Sequence, residues 1–148
     1  YIGDGNNMAN SLIVGGLKTG MSVSVACPEG YHPAGEVLDF AAGYGDKFQL
    51  TASCTEAAAG ADVIFTDVWA SMGQEEEAAQ RREVFAGYQV NDQLLAAAAP
   101  ECMVQHCLPA HRGEEITAQV FEAHAQEIFD EAENRLHAQK AVMATVMR

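Results

Sequence analysis

The sequence predicts an α/β domain: a parallel sheet covered by helices on both faces, making three layers. Two observations carry that prediction. Short apolar runs alternate with helical stretches along the whole chain. One run, Val63-Ile64-Phe65-Thr66, is apolar and β-branched without a polar alternation, as expected of a strand buried on both sides. The length of 148 residues fits one domain, and 49% hydrophobic residues can supply its core.

Tyr1-Ile2 reads as the end of a first strand. Asn6 to Thr19 reads as a helix with Met8, Leu12, Ile13 and Leu17 on its apolar side, closed by Lys18-Thr19-Gly20 with glycine just past the end. Ser22 to Ala26 is the next strand, followed by a helix from about Gly35 to Tyr44. Phe48 to Ala52 is a third strand, Thr55 to Ala59 a short helix, and Val63 to Thr66 the fourth strand. Glu75 to Gly87 reads as an exposed, charged helix, and Asn91 caps a shorter one running through Ala96 to Ala99. Cys102 to Gln105 is the last clear strand, stopped by Pro109; Thr117 opens another helix, and Glu131 to Arg148 forms a long terminal one. There is no internal repeat and no low-complexity linker.

Eight basic against twenty-one acidic side chains give a net charge of −13, which disfavours nucleic acid as a partner. No apolar run approaches the roughly 20 residues needed to span a bilayer, so no membrane partner is expected. Cys27, Cys54, Cys102 and Cys107 form no Cys-x-x-Cys pair and read as free thiols. A zinc site from Cys102, His106, Cys107 and His111 matches no common spacing, so no metal is expected. The chain starts at Tyr1, inside what reads as a strand, which suggests a piece of a longer protein.

In open parallel sheets, ligands gather at the carboxyl ends of the strands, and three unusual motifs fall there. Gly3-Asp4-Gly5 follows the first strand, but the dinucleotide fingerprint needs a third glycine where Met8 stands, so no nucleotide cofactor is expected. Asn6 and Asn7 suit helix capping, and one can cap while the other faces the site. Asp67-Val68-Trp69-Ala70-Ser71-Met72-Gly73 follows the fourth strand. Asp67 there serves either as a turn carboxylate or as a holder of an ammonium group. Glu75-Glu76-Glu77 reads as a solvated face at a helix start. His106-Cys107-Leu108-Pro109 follows the last strand; adjacency alone does not make a nucleophile–base pair, so no covalent mechanism is expected. His111-Arg112-Gly113-Glu114-Glu115 reads as an exposed polar loop, and Arg135 as an i,i+4 helix partner of Glu131.

Taken together, Gly3-Asp4-Gly5-Asn6-Asn7, Asp-x-x-x-Ser-Met-Gly, His-Cys-Leu-Pro and Glu133-Asn134-Arg135 resemble the second domain of the ornithine carbamoyltransferases. The resemblance implies a Rossmann-like domain and the reaction of carbamoyl phosphate with L-ornithine to give L-citrulline and phosphate, without a cofactor. It implies that Asn7, Asp67, Ser71 and Met72 hold ornithine, with Gly73 freeing a closing loop. It assigns Cys107, Leu108 and Arg135 to carbamoyl phosphate, and Cys107 with Asp67 to orienting or deprotonating the attacking amine. The family's first-domain motifs, Ser-x-Arg-Thr and His-Pro-x-Gln, do not occur here. The expected partners are thus that first domain, packed on the terminal helix (about 131–148), and sister copies in a homotrimer. The isolated chain is expected to be inactive and to expose a sticky apolar helix face. Cytoplasm is the expected location, or a mitochondrion if a transit peptide lay upstream. The competing readings are a non-catalytic amino-acid-binding module and a carbamoyltransferase for another amine such as putrescine.

Overall fold

A computed structural model describes residues 1–70, 73 and 75–147. Four short parallel strands, β1 (Val23–Ala26), β2 (Phe48–Thr51), β3 (Val63–Thr66) and β4 (Met103–His106), form two pairs. Val23 is in register with Phe48, and Val63 with Met103. The N-terminal segment joins the two pairs. Ile2 bridges in parallel to both Ala26 and Thr66, with the Ile2 N–H donating to the Phe65 carbonyl at 2.9 Å and the Ala26 N–H to the Tyr1 carbonyl at 2.9 Å. The spatial order is therefore β2, β1, N-terminal segment, β3, β4, with every carboxyl end on one edge.

Because side chains alternate along a strand, neighbouring residues feed opposite layers. Tyr1, Val25 and Phe65 pack with Ala9, Ile13, Leu17 and Ala41 on one face. Ile2, Ala26, Ile64 and Val104 pack with Ala57, Leu94, Val120, Phe121 and Ile128 on the other. The first layer holds α1 (Asn7–Lys18) and α2 (Gly35–Ala42); the second holds α3 (Cys54–Ala58), α5 (Asp92–Leu95), α6 (Ala118–Ala123) and the start of α7 (Ala125–Val146). The expected three-layer α/β architecture is the one observed. Among the described residues, no helix is long and apolar enough to cross a membrane.

Local side chains set most helix starts. Asn6 Oδ1 accepts from the Met8 and Ala9 amides, Ser53 from Glu56, Asn91 from Leu94 and Thr117 from Val120. Three elements depart from the sequence reading. The helix expected from Glu75 begins as a 3-10 turn (Glu75–Glu77) before α4 (Ala78–Phe85). The alanines after α5 form turns, because the Ala97 carbonyl accepts the Gly60 N–H and the Ala99 N–H reaches the Ala61 carbonyl. The terminal helix starts at Ala125, six residues before Glu131.

That early start serves β4. As an edge strand it would leave outward N–H groups unpaired. Glu127 Oε1 accepts the Val104 N–H at 3.0 Å, and Glu131 Oε2 accepts the His106 N–H at 3.1 Å. A helix thus covers the edge with two carboxylates. Beyond Glu131 the same helix leaves the sheet, and Leu136, Val142, Met143 and Val146 are 51–72% exposed.

Candidate active site

The loops after the N-terminal segment, β3 and β4 converge at the carboxyl edge. Asp67, one residue past β3, is 6% exposed and central. Its Oδ2 accepts the Asn6 side-chain amide at 2.9 Å; its Oδ1 accepts the Val68 N–H at 2.8 Å and the Cys107 thiol at 3.1 Å. A carboxylate offers about four acceptor positions. Among the described residues three are taken, and the other position on Oδ2 can receive a cationic N–H.

Asn6 does two jobs, capping α1 with its oxygen and holding Asp67 with its nitrogen. Asn7, the residue singled out from the sequence, is the first residue of α1 and is exposed at the same edge. Asn6 as the carboxylate's partner was not foreseen; its signal was the Asn-Asn pair itself. Ser71 and Met72 lie outside the described residues. Gly73 has φ +89, a left-handed value that favours glycine.

Cys107 is buried, and its thiol is pushed up to about 12, first by burial and then by the Asp67 carboxylate that accepts its proton, with Glu131 adding a smaller push. Near neutral pH it is therefore an S–H donor. The fold thus brings Cys107 and Asp67 together, with the thiol donating to the carboxylate at 3.1 Å. Leu108 is half-buried, with φ +54, and joins Pro109 through a cis peptide. Its N–H donates to His106 Nδ1 at 2.9 Å.

Burial also lifts Glu131 above the ordinary carboxylate range, opposed by the His106 N–H and by Arg135 one turn along α7. Arg135 is exposed on α7.

Ligating atoms of Asp67, His106 and Cys107 lie within 4.8 Å of one another. A cation there would have to displace existing bonds, since His106 Nδ1 accepts Leu108 and its Nε2 faces Glu115. No metal is assigned on this donor set.

Two buried arrangements escaped the sequence reading. Glu115, expected on an exposed loop, is 0% exposed. Its Oε1 takes His106 Nε2 at 3.0 Å and the His111 N–H at 2.6 Å, which draws the loop inward. Arg81, on the helix after the Ser-Met-Gly segment, is 6% exposed. Its Nη1 donates to Asp4 Oδ2 at 2.7 Å and to the Trp69 carbonyl at 2.9 Å, and the guanidinium lies 5.0 Å from the Tyr31 ring centre. Arg81 thereby ties Asp4 to both ends of the segment that follows β3. Burial raises the Asp4 carboxyl, and the ion pair with Arg81 opposes that. Gly5 has its own reason: a Cβ there would sit 2.3 Å from the backbone of His32 and Pro33, so the loop crossing demands glycine.

Comparison with known proteins adds an independent line. The model of the aspartate/ornithine carbamoyltransferase family for the Asp/Orn binding domain matches residues 1–146. The chain is 54% identical over 151 aligned positions to an ornithine carbamoyltransferase of Symbiobacterium thermophilum, covering 99% of this chain and 49% of that protein. The solved ornithine carbamoyltransferase of Pyrococcus furiosus superposes with a TM-score of 0.91 at 53% identity, covering 99% of this chain and 48% of its own. The anabolic enzyme of Campylobacter jejuni gives a TM-score of 0.92 at 37% identity, covering 97% and 49%. The chain spans about half the length of the relatives it matches.

Proposed function

The chain belongs to the aspartate/ornithine carbamoyltransferase family through its Asp/Orn binding domain, and on that premise we propose that it is the ornithine-holding half of an ornithine carbamoyltransferase. The observation that carries this reading is the convergence of Asn6, Asp67 and Cys107 at the carboxyl edge, where Asp67 accepts from Asn6, Val68 and Cys107.

In the proposed reaction the δ-amine of L-ornithine attacks the carbamoyl carbon of carbamoyl phosphate, a C–N bond forms, the C–O bond to phosphate breaks, and L-citrulline leaves with phosphate. Asp67 accepts an N–H of the amino acid by a charge-assisted bond, and Asn7, Ser71 and Met72 are the other residues assigned to ornithine. An alkylammonium loses a proton only near pH 10 in water, so the amine must be delivered deprotonated to the carbamoyl carbon. The buried thiol of Cys107, held on Asp67, orients that amine. The Leu108 backbone and Arg135 face carbamoyl phosphate. No cofactor enters; the rate enhancement comes from positioning and fixed dipoles.

The same proposal includes the partners. The apolar outer face of α7 packs on a carbamoyl-phosphate-binding domain, the complete enzyme assembles as a homotrimer, and it works in the cytoplasm. The ordinary test is citrulline formation by a chimera joining this chain to the other half of the Pyrococcus furiosus relative. The chimera is expected to carbamoylate ornithine and to leave putrescine untouched, while this chain alone makes no citrulline. A chimera that folds and binds ornithine without transfer would favour a binding module, and preference for putrescine would change the acceptor.

A further inference from the structure

Glu115 and His106 are titratable side chains that the mechanism above leaves unused, each 0% exposed. His106 ends β4, and Glu115 stands in the loop that leaves it and returns to the fold where Ile116 bridges to Val90. Their bonds run in series. Glu115 Oε1 meets His106 Nε2 at 3.0 Å, and His106 Nδ1 accepts the Leu108 N–H at 2.9 Å. A ring nitrogen that accepts a backbone N–H carries no proton, so the ring proton lies on Nε2 and points at the carboxylate. The other tautomer would set Nδ1–H against the Leu108 N–H and face a bare nitrogen toward a carboxylate oxygen.

Leu108 needs such a hold. Its φ of +54 is a left-handed conformation that residues with a Cβ adopt at a cost, kept only when the surroundings enforce it. Glu115 supplies a second fastening, since Oε1 also accepts the His111 N–H at 2.6 Å and so closes the loop four residues back. Its Oε2 has no partner among the described residues. A buried carboxylate with an idle oxygen is a poor space-filler compared with an apolar side chain. What distinguishes it from an apolar residue is the acceptor it offers His106 and His111.

We propose that Glu115 and His106 form a positioning relay, in which the carboxylate fixes the imidazole tautomer and the imidazole fixes the left-handed turn at Leu108, where the carbamoyl group is received. The last clause rests on the function proposed above; the relay itself does not.

The test uses the 148-residue chain with 15N-labelled histidine. Long-range proton–nitrogen spectra are expected to show His106 with its proton on Nε2 and a bare Nδ1. Glu115→Ala should release the Leu108 amide, whose hydrogen exchange then quickens about fivefold or more, the loss of roughly one hydrogen bond. Glu115→Gln keeps a carbonyl oxygen for both donors and should restore the tautomer and the protection. In the chimera, Glu115→Ala should lower kcat roughly tenfold to a hundredfold, as misplacement of reacting groups does, with the ornithine KM little changed.

A wild-type ring protonated on Nδ1, or Leu108 exchange indifferent to Glu115→Ala, overturns the relay. Should Glu115→Ala fail to fold, the wild-type tautomer and Glu115→Gln decide between the same two results. A chimera without transferase activity, but with the stated tautomer and protection, would break the functional reading and leave the relay standing.

Discussion

At the ends of β3 and β4 the functional groups are already held; along the outer half of α7 they are not. Asp67 is 6% exposed and fastened by Asn6, Val68 and Cys107, while Arg135 stands exposed, with Glu131 as its electrostatic neighbour. One region is built on strands and buried bonds, the other on a helix face whose Leu136, Val142, Met143 and Val146 look into solvent. The difference teaches how labour is divided. On the function proposed above, the amino-acid side is preorganised within this stretch of chain, and the carbamoyl phosphate side awaits a surface that α7 can meet.

The largest expected effect contrasts two arginines. Arg81→Ala leaves Asp4 buried without its partner, and breaking such a pair costs about 3–5 kcal/mol. Arg135→Ala, on an exposed helix face, should stay within about 0.5 kcal/mol. Urea unfolding of both variants checks this, and equal losses would erase the distinction between the two regions.

Next in size is Asp67→Ala, which strips an acceptor from two buried donors, the Val68 N–H and the Cys107 thiol, and from Asn6. A loss of about 1–3 kcal/mol is expected. The same change should speed alkylation of Cys107 modestly, because burial remains the larger cause of its raised pKa. Unchanged labelling kinetics would mean that Asp67 does not hold the thiol.

Alkaline pH gives a smaller, graded effect. Cys27 and Cys54 are raised to about 11 and Cys107 to about 12, from 9.0, chiefly by burial. Between pH 9 and those values the unfolded chain has released protons that the folded chain retains, so stability falls as pH rises through that window. Below pH 9 their contribution is fully present. Cys107→Ser should flatten the decline, seen as a shallower loss of melting temperature from pH 9 upward.

The smallest effect on stability belongs to the outer helix. Val142→Lys with Val146→Glu should leave unfolding within about 0.5 kcal/mol and reduce self-association and hydrophobic dye binding. A wild-type chain that is monomeric and binds no dye would show that this face needs no cover.

What was legible in the sequence follows from range. Caps at Asn91 and Thr117 act on amides three residues ahead, and strands such as Val63–Thr66 announce themselves by composition, so both could be read locally. Asp67 and Cys107 were named from motifs that follow strands, and the fold does bring them together. Arg81 and Asp4 lie 77 positions apart, and nothing local marks either as buried. Glu115 was read as solvent-facing because it stands in a charged run, yet a histidine nine residues away draws it inside. The start of α7 was misplaced because Glu127 and Glu131 look like ordinary surface acids until β4 offers them unpaired N–H groups.

The central claim is that the two regions serve two substrates, and steady-state kinetics of the chimera test it most directly. Asp67→Asn is predicted to raise the KM for ornithine and leave that for carbamoyl phosphate near its original value, whereas Arg135→Ala should do the reverse. Variants that both shift the same KM, or that shift neither, would contradict the account.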